Sequence, residues 1–274
     1  MMGASREALD AARERLDTLV DSTGVDVATL AGELAAVTAL LDREVALRRV
    51  LTDPAQAGEA KAELVGRLLS GQVGGEAVDL VSGMVRSRWS ASRDLVDAVE
   101  ELADIADLIV AERDGSLDSV EDELFRFSRI VATSPELRAA LSVKNRGERA
   151  VAAQSELVRR LLGGRAREVT LRLVTRLVEF PRGRSLDSGL DALSVLAAAR
   201  RNRSVAQVTS AVPLSDAQRE RLGAALGRLY GRSVQLNLDV DPSVLGGISV
   251  RIGDDVIHGT IGDRLEEVTR RMAG

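Results

Sequence analysis

The sequence predicts a mainly α-helical chain: two tandem, related helical bundles over residues 1–112 and 113–202, then a small C-terminal α+β domain of βαββα order over 203–274. Three observations predict it. Apolar residues recur at the helical spacing of 3.6 from Ser5 to about Arg201. Those helices repeat at a shift of 90 to 93 residues, the signature of a duplicated unit. After Arg203 the period drops to 2, that of half-buried strands. Composition agrees, because only Trp89, Phe125, Phe127, Phe180 and Tyr230 are aromatic. Cores must then be built from Leu, Val, Ile and Ala, which suits helix-on-helix packing.

Taken in order, the first helix carries Leu9, Ala12, Leu16 and Leu19 on one stripe. The apolar pattern through Leu30, Leu34, Val37 and Leu41 predicts a second helix running unbroken from Val27 to Val50. Helices are expected at 55–69 and 76–88, separated by Gly71 and the Gly74-Gly75 pair. A long helix at 93–113 carries Leu95, Val99, Leu102, Ala106 and Ile109, and Asp114-Gly115 stops it. Ser116 or Asp118 can cap the next helix, at 117–132. Further helices follow at 136–141, after Ser134-Pro135, and at 147–162, 166–180 and 186–201, with Pro181 as a stop.

The repeat pairs Glu33-Leu34 with Glu123-Leu124, and Leu47 and Leu51 with Leu137 and Leu141, at a shift of 90. At 93 it pairs Glu63-Leu64-Val65 with Glu156-Leu157-Val158, Leu80-Val81 with Leu173-Val174, and Met84-Val85 with Leu177-Val178. The first helix also echoes the 93–113 helix: at a shift of 90, Ala8-Leu9 and Asp17 with Leu19-Val20 fall on Ala98-Val99 and Asp107 with Ile109-Val110. That helix is therefore expected to close the first bundle and open the second as one unbroken strut, an expectation that a break near Ala103 would sink.

Beyond Arg203, a strand at 205–212 ends at Pro213. Ser215 with Gln218 forms a capping box for a helix with Leu222, Ala225, Leu226 and Leu229 on one face. Val234, Leu236, Leu238 and Val240 alternate, as do Ile248, Val250 and Ile252. Gly253-Asp254-Asp255 reads as a turn into a short strand at 256–258. A last helix presents Ile261, Leu265, Val268 and Met272.

Chemistry is sparse. Without cysteine there is no disulfide, thiolate metal site or Cys nucleophile. His258 is the single histidine, and its place at a strand end beside Gly259 fits a turn better than a base. No phosphate-cradling G-x-x-x-x-G-K-[ST] loop occurs, and no cofactor is expected. Net charge of −5 and scarce aromatics argue against nucleic acid as a partner. No apolar run approaches the ~20 residues that span a bilayer, and the opening residues lack a signal-peptide core. Charge is unevenly distributed: 94–123 holds twelve acids against Arg113, and 138–184 holds twelve bases against four acids. Such blocks either complement each other within the fold or form docking faces of opposite sign. Everything points to a binding protein, and the residues alone leave open a helical adaptor with an α+β partner-binding tail.

The segment from Asp241 through Pro242-Ser243-Val244-Leu245-Gly246-Gly247-Ile248 to Gly253-Asp254, followed by Gly259-Thr260 and Arg264-Leu265-Glu266, closely resembles the delta subunit of bacterial F-type ATP synthases. The mitochondrial counterpart of that family is the oligomycin-sensitivity-conferring protein. A weaker likeness covers 166–193. The resemblance implies a non-catalytic stator at the cytoplasmic face of the plasma membrane. Its helical part would hold the N-terminal segments of the alpha subunits, and its C-terminal domain the b-subunit stalk. The alpha contact is expected on a groove lined by Leu173, Val174 and Leu177, with Met84 and Val85 as an added contact. His258 stands where the family usually has an acid, and the chain exceeds the usual member by about one bundle, which the repeat accounts for.

Overall fold

A computed structural model describes residues 3–21, 24–142, 147–203, 205–230, 234–241, 247–252 and 255–260. Contacts divide the chain into two compact units, Met1–Ala197 and Ala198–Gly274. The first holds α1 (Gly3–Asp21), α2 (Val27–Arg43), α3 (Val45–Thr52), α4 (Gly58–Leu69), α5 (Gly75–Arg86), α6 (Ser92–Arg113), α7 (Leu117–Thr133), α8 (Pro135–Leu141), α9 (Glu148–Leu162), α10 (Glu168–Glu179) and most of α11 (Leu186–Arg203).

Helix ends follow local chemistry. Asp26 caps α2, accepting from the Ala28 and Thr29 amides, and Ser134 with Pro135 opens α8. Gly115, at φ 74°, ends α6 in the left-handed conformation, while Asp114 rather than Ser116 supplies the side-chain acceptor there. One expected helix is two. The 27–50 segment breaks at Glu44, whose φ/ψ of −92°/77° leaves helical space between α2 and α3. The apolar stripe runs through this break, so periodicity does not register it. At the repeat shift of 90, Glu44 falls on Ser134, where the second bundle breaks visibly at proline.

Both repeats have the same core. Leu34 and Leu124, Leu51 and Leu141, Val65 and Val158, Leu80 and Leu173, Val81 and Val174, and Val85 and Val178 are all buried. A polar detail recurs too. The Glu33 carboxylate of α2 accepts from the Gly74 amide at the start of α5 (2.8 Å), and Glu123 of α7 accepts from the Arg167 amide at the start of α10 (2.9 Å). In each bundle one glutamate thus satisfies a free N–H at the positive end of a neighbouring helix.

α6 is unbroken through Ala103 and serves both bundles. Leu95, Val96, Val99, Leu102, Ala103, Ala106 and Ile109 join the first core, and Leu108 and Ala111 the second.

The second unit contains β1 (Val205–Ser210), α12 (Asp216–Tyr230), β2 (Gln235–Val240), β3 (Gly247–Ile252) and β4 (Asp255–Thr260). The sheet order is β2-β1-β3-β4, with β1 parallel to β2 and antiparallel to β3. Ala206, Val208, Leu226, Val250 and Ile252 form its core, and the Ser215–Gln218 capping box is present. Leu229, expected on the buried face of α12, is instead 67% exposed: Leu222, Leu226 and Tyr230 make the packed stripe. The final helix over 261–272 lies outside the described residues, as do Gly246, Gly253, Asp254, Arg264 and Leu265. Gly247 begins β3 at φ 89°, a conformation that favours glycine. Gly259 lies in β4 opposite Ile248, and His258 opposite Ser249.

Candidate docking surfaces

The first bundle covers the apolar face of α6, so the acids on its remaining face meet the second bundle. Asp104 and Asp107, one helical turn apart, both receive Arg176 of α10, at 2.5 and 2.6 Å. Arg172, one turn earlier on α10, reaches Asp107 from the solvent side at 2.7 Å. The α10–α11 turn supplies a second cluster. Arg182 pairs with Asp97 (3.0 Å) and with Glu100, and Arg184 reaches Glu100 at 2.5 Å. Arg182 holds φ 44°, and Gly183 follows at 83°. Such a left-handed non-glycine residue costs ~1 kcal/mol, and its guanidinium is nonetheless enclosed beside two carboxylates.

Burial governs the electrostatics. Asp107 is fully buried and Asp104, Glu100, Arg176 and Arg182 nearly so. Loss of solvent pushes the Asp104 carboxyl up to about 6, against the opposing pull of Arg176. Burial works to lower the Arg176 pKa, but Asp104 and Asp107 outweigh it and hold the group above its usual value. Four bases of the basic block, Arg172, Arg176, Arg182 and Arg184, thus meet four acids of the acidic block within the helical unit.

Three depressions mark the surface. A crevice of about 370 Å³ lies between α6, α10 and α11, floored by Leu173 and Leu177, with Asp97, Glu101 and Asp104 on one wall and Val195 and Leu196 on the other. A groove of about 650 Å³ follows α8 and the α10–α11 turn, with Leu141, Leu177, Val178 and Leu186 inside. On the first bundle a groove of about 570 Å³ runs between α2, α3 and α4, past Val37, Leu40, Leu47 and the 44%-exposed Leu68.

The five residues expected at the alpha contact are all buried. Leu173 and Leu177 reach the crevice floor from the second core. Val174 packs inside that core, and Met84 and Val85 inside the first. Their recurrence in both repeats reflects shared core positions: a residue pair needed to close each bundle repeats with the bundle. Val195, 67% exposed on the crevice wall, was not singled out by sequence; an apolar residue breaking the polar face of α11 was the available signal.

Residues 105–272 match the sequence profile of the ATP synthase delta (OSCP) subunit. The chain belongs to that family. ATP synthase subunit delta of Streptomyces griseus is 69% identical to it over 274 residues, covering all of both chains. That of Streptomyces avermitilis is 70% identical over 99% of this chain and 98% of the relative, and that of Thermobifida fusca 48% identical over the whole of both. The chain is thus a subunit of the F-type ATP synthase, a peripheral-stalk component, and not an unrelated adaptor. The profile begins within α6, yet these relatives align from end to end, so the first bundle is shared with them. Among the described residues no helix is long and apolar enough to cross a membrane.

Proposed function

We propose that the chain is the non-catalytic stator link of the synthase at the cytoplasmic face of the membrane. The helical unit holds N-terminal segments of the alpha subunits at the catalytic head, and the C-terminal unit holds the b-subunit stalk. By resisting the torque of the proton-driven rotor, it lets rotation yield ATP. The full-length match to subunits of this name carries the reading. The helical unit suits the task physically, since close-packed aliphatic cores deform little under load.

For the alpha contact, the α6–α10–α11 crevice is the proposed seat. Leu173 and Leu177 form its floor, with Val174 beside them in the second core, and Val195 and Leu196 offer apolar wall; Met84 and Val85, buried in the first core, do not line it. An amphipathic partner helix would set its apolar side on this floor. The test is capture of alpha, beta and b subunits from membranes by tagged chain. Wild type should recover all three in fixed ratio, and Val195→Asp, exposed and harmless to the fold, should lose alpha and beta by about tenfold or more while keeping b. Unchanged recovery of alpha would place its seat elsewhere; loss of all three with wild type would defeat the stator reading.

A further inference from the structure

Along α2 the first bundle turns to solvent a helix face with almost no charge. From Val27 to Leu41 the one charged residue is Glu33, and its carboxylate is already taken by the Gly74 amide. The exposed strip runs through Ala28, Thr29, Gly32 and Ala36, and Ala36 opens into the groove of about 570 Å³ walled by Leu40, Leu47 and Leu68. The repeat supplies an internal comparison. At the shift of 90, Ala28, Gly32, Ala36 and Ala39 fall on Asp118, Asp122, Arg126 and Arg129, all exposed on α7. There Asp122 and Arg126 pair one turn apart at 2.7 Å, as on an ordinary solvated helix. The same place in the same fold therefore accepts charge, and the first bundle does without it. Gly32 is an independent sign. A side-chain carbon there would meet nothing within 4 Å, and its backbone is helical, so nothing inside this chain calls for a glycine that weakens α2. What the missing side chain does permit is the close approach of another backbone.

We propose that this face and groove seat one α-helix of the b-subunit stalk, laid lengthwise along α2, an inference that rests on the stator reading. From Ala28 to Arg43 the face is ~24 Å long, which calls for a continuous helix of about four turns or more. Charge bounds it at both ends. Asp26 lies exposed at its start, and Arg43, paired with its neighbour Glu44, at its end. The complementary surface is an apolar, uncharged helix face with a basic residue towards Asp26 and an acidic one towards Arg43. The alpha segment is not this occupant. Its crevice is walled by the acids of α6, whereas α2 packs on the apolar face of that helix and turns its exposed strip away from it. Nor does the first bundle repeat the crevice. There α1, α5 and α6 take the places of α6, α10 and α11, but Ser5 of α1 donates to Asp94 of α6 at 2.7 Å and Arg13 to Glu101 at 2.8 Å, tying together the helices that flank the opening in the second bundle. That leaves the stalk, which must reach from the membrane to the head and so offers the length. A single helix on an uncharged face binds weakly alone. Once the C-terminal unit grips the stalk, the second contact is intramolecular and needs little affinity of its own. Two grips, unlike one, resist pivoting of the stalk under torque.

The test uses the full-length tagged chain in membranes that carry the assembled synthase. A photo-crosslinking benzoylphenylalanine replaces Ala36 in one chain and Arg126, its repeat counterpart, in another; both positions are exposed. Irradiation should join the Ala36 position to a b subunit, with about tenfold less b adduct from the Arg126 position. A second variant gives the face the charges of its counterpart. Ala28→Asp, Gly32→Asp and Ala36→Arg together should leave the chain folded, since α7 carries the same residues at the same places. They should cut the b adduct from a benzoylphenylalanine at Leu40 by about tenfold or more. Adducts of the Ala36 position with alpha or with a second copy, or no adduct, overturn the proposal, and so does a b adduct that survives the three charges. Capture of alpha, beta and b by the tagged chain is followed in the same membranes. Where capture persists, such a result strikes this proposal alone; where wild type captures none of the three, the stator reading falls with it.

Discussion

Arg176 holds two carboxylates that would otherwise repel each other across less than a helical turn. Replacing it with Met keeps most of its aliphatic volume but leaves Asp104 and Asp107 buried without a guanidinium between them. Removing one partner of a buried ionic cluster costs ~3–5 kcal/mol, more than the intact cluster contributes over an apolar substitute. Arg176→Met should therefore lower stability by about that amount in urea unfolding. Adding Asp104→Asn and Asp107→Asn should restore much of the loss, because the amides no longer require a cation. Simple additivity of the three losses would mean that the groups act independently, contrary to their geometry. At this scale the sequence is only partly legible. The acidic and basic blocks are plain, but the partners lie 65 to 85 residues apart, and only the fold decides that Arg176 meets Asp104 and Asp107 while Arg182 meets Asp97 and Glu100.

Among elements, α6 is the one on which the helical unit depends. Its 22 residues carry an apolar face into the first core and an acidic face into the second bundle, which is why the echo of the first helix within it was legible as a shared strut. Most other helices were equally legible, because Gly71, Gly115, Pro135 and Pro181 punctuate the pattern where the chain turns. The break at Glu44 was not, since neither proline nor glycine marks it and Leu41, Leu47 and Leu51 continue the stripe across it. Core and groove residues could not be told apart by period alone, which is why Met84, Val85 and Val174 read as a partner surface. Interrupting the strut separates its two roles. Ala103→Pro removes the bond from its own amide to the Val99 carbonyl and crowds that carbonyl, at a cost of ~3 kcal/mol or more. Because Ala103 is fully buried, the kink cannot relax into solvent. Calorimetry of the wild-type helical unit should show one cooperative transition; in Ala103→Pro it should split into two, one per bundle. A single transition merely shifted downward would mean that coupling does not run through α6.

For the whole molecule, the shared helix makes the first bundle inseparable from the second, although the family profile begins only at residue 105. A chain shortened to begin at Ser92 would keep α6 but strip the cover from Leu95, Val96, Val99 and Leu102, all fully buried in the intact chain. Exposing each such side chain forfeits ~1.5–3 kcal/mol, and together they form a contiguous apolar stripe of the kind that drives association. Such a chain should elute as oligomers or aggregate in size-exclusion chromatography. A chain ending after Arg203 should behave differently, because both helical cores consist wholly of residues before that point. It should elute as a folded monomer, still capture alpha subunits, and lose the b-subunit stalk. If the chain beginning at Ser92 proved monomeric and stable, the first bundle would be an appendage on a self-sufficient unit. If it aggregates as expected, the second bundle does not stand without the first, and the proposed alpha seat depends on the added bundle to keep its α6 wall in place.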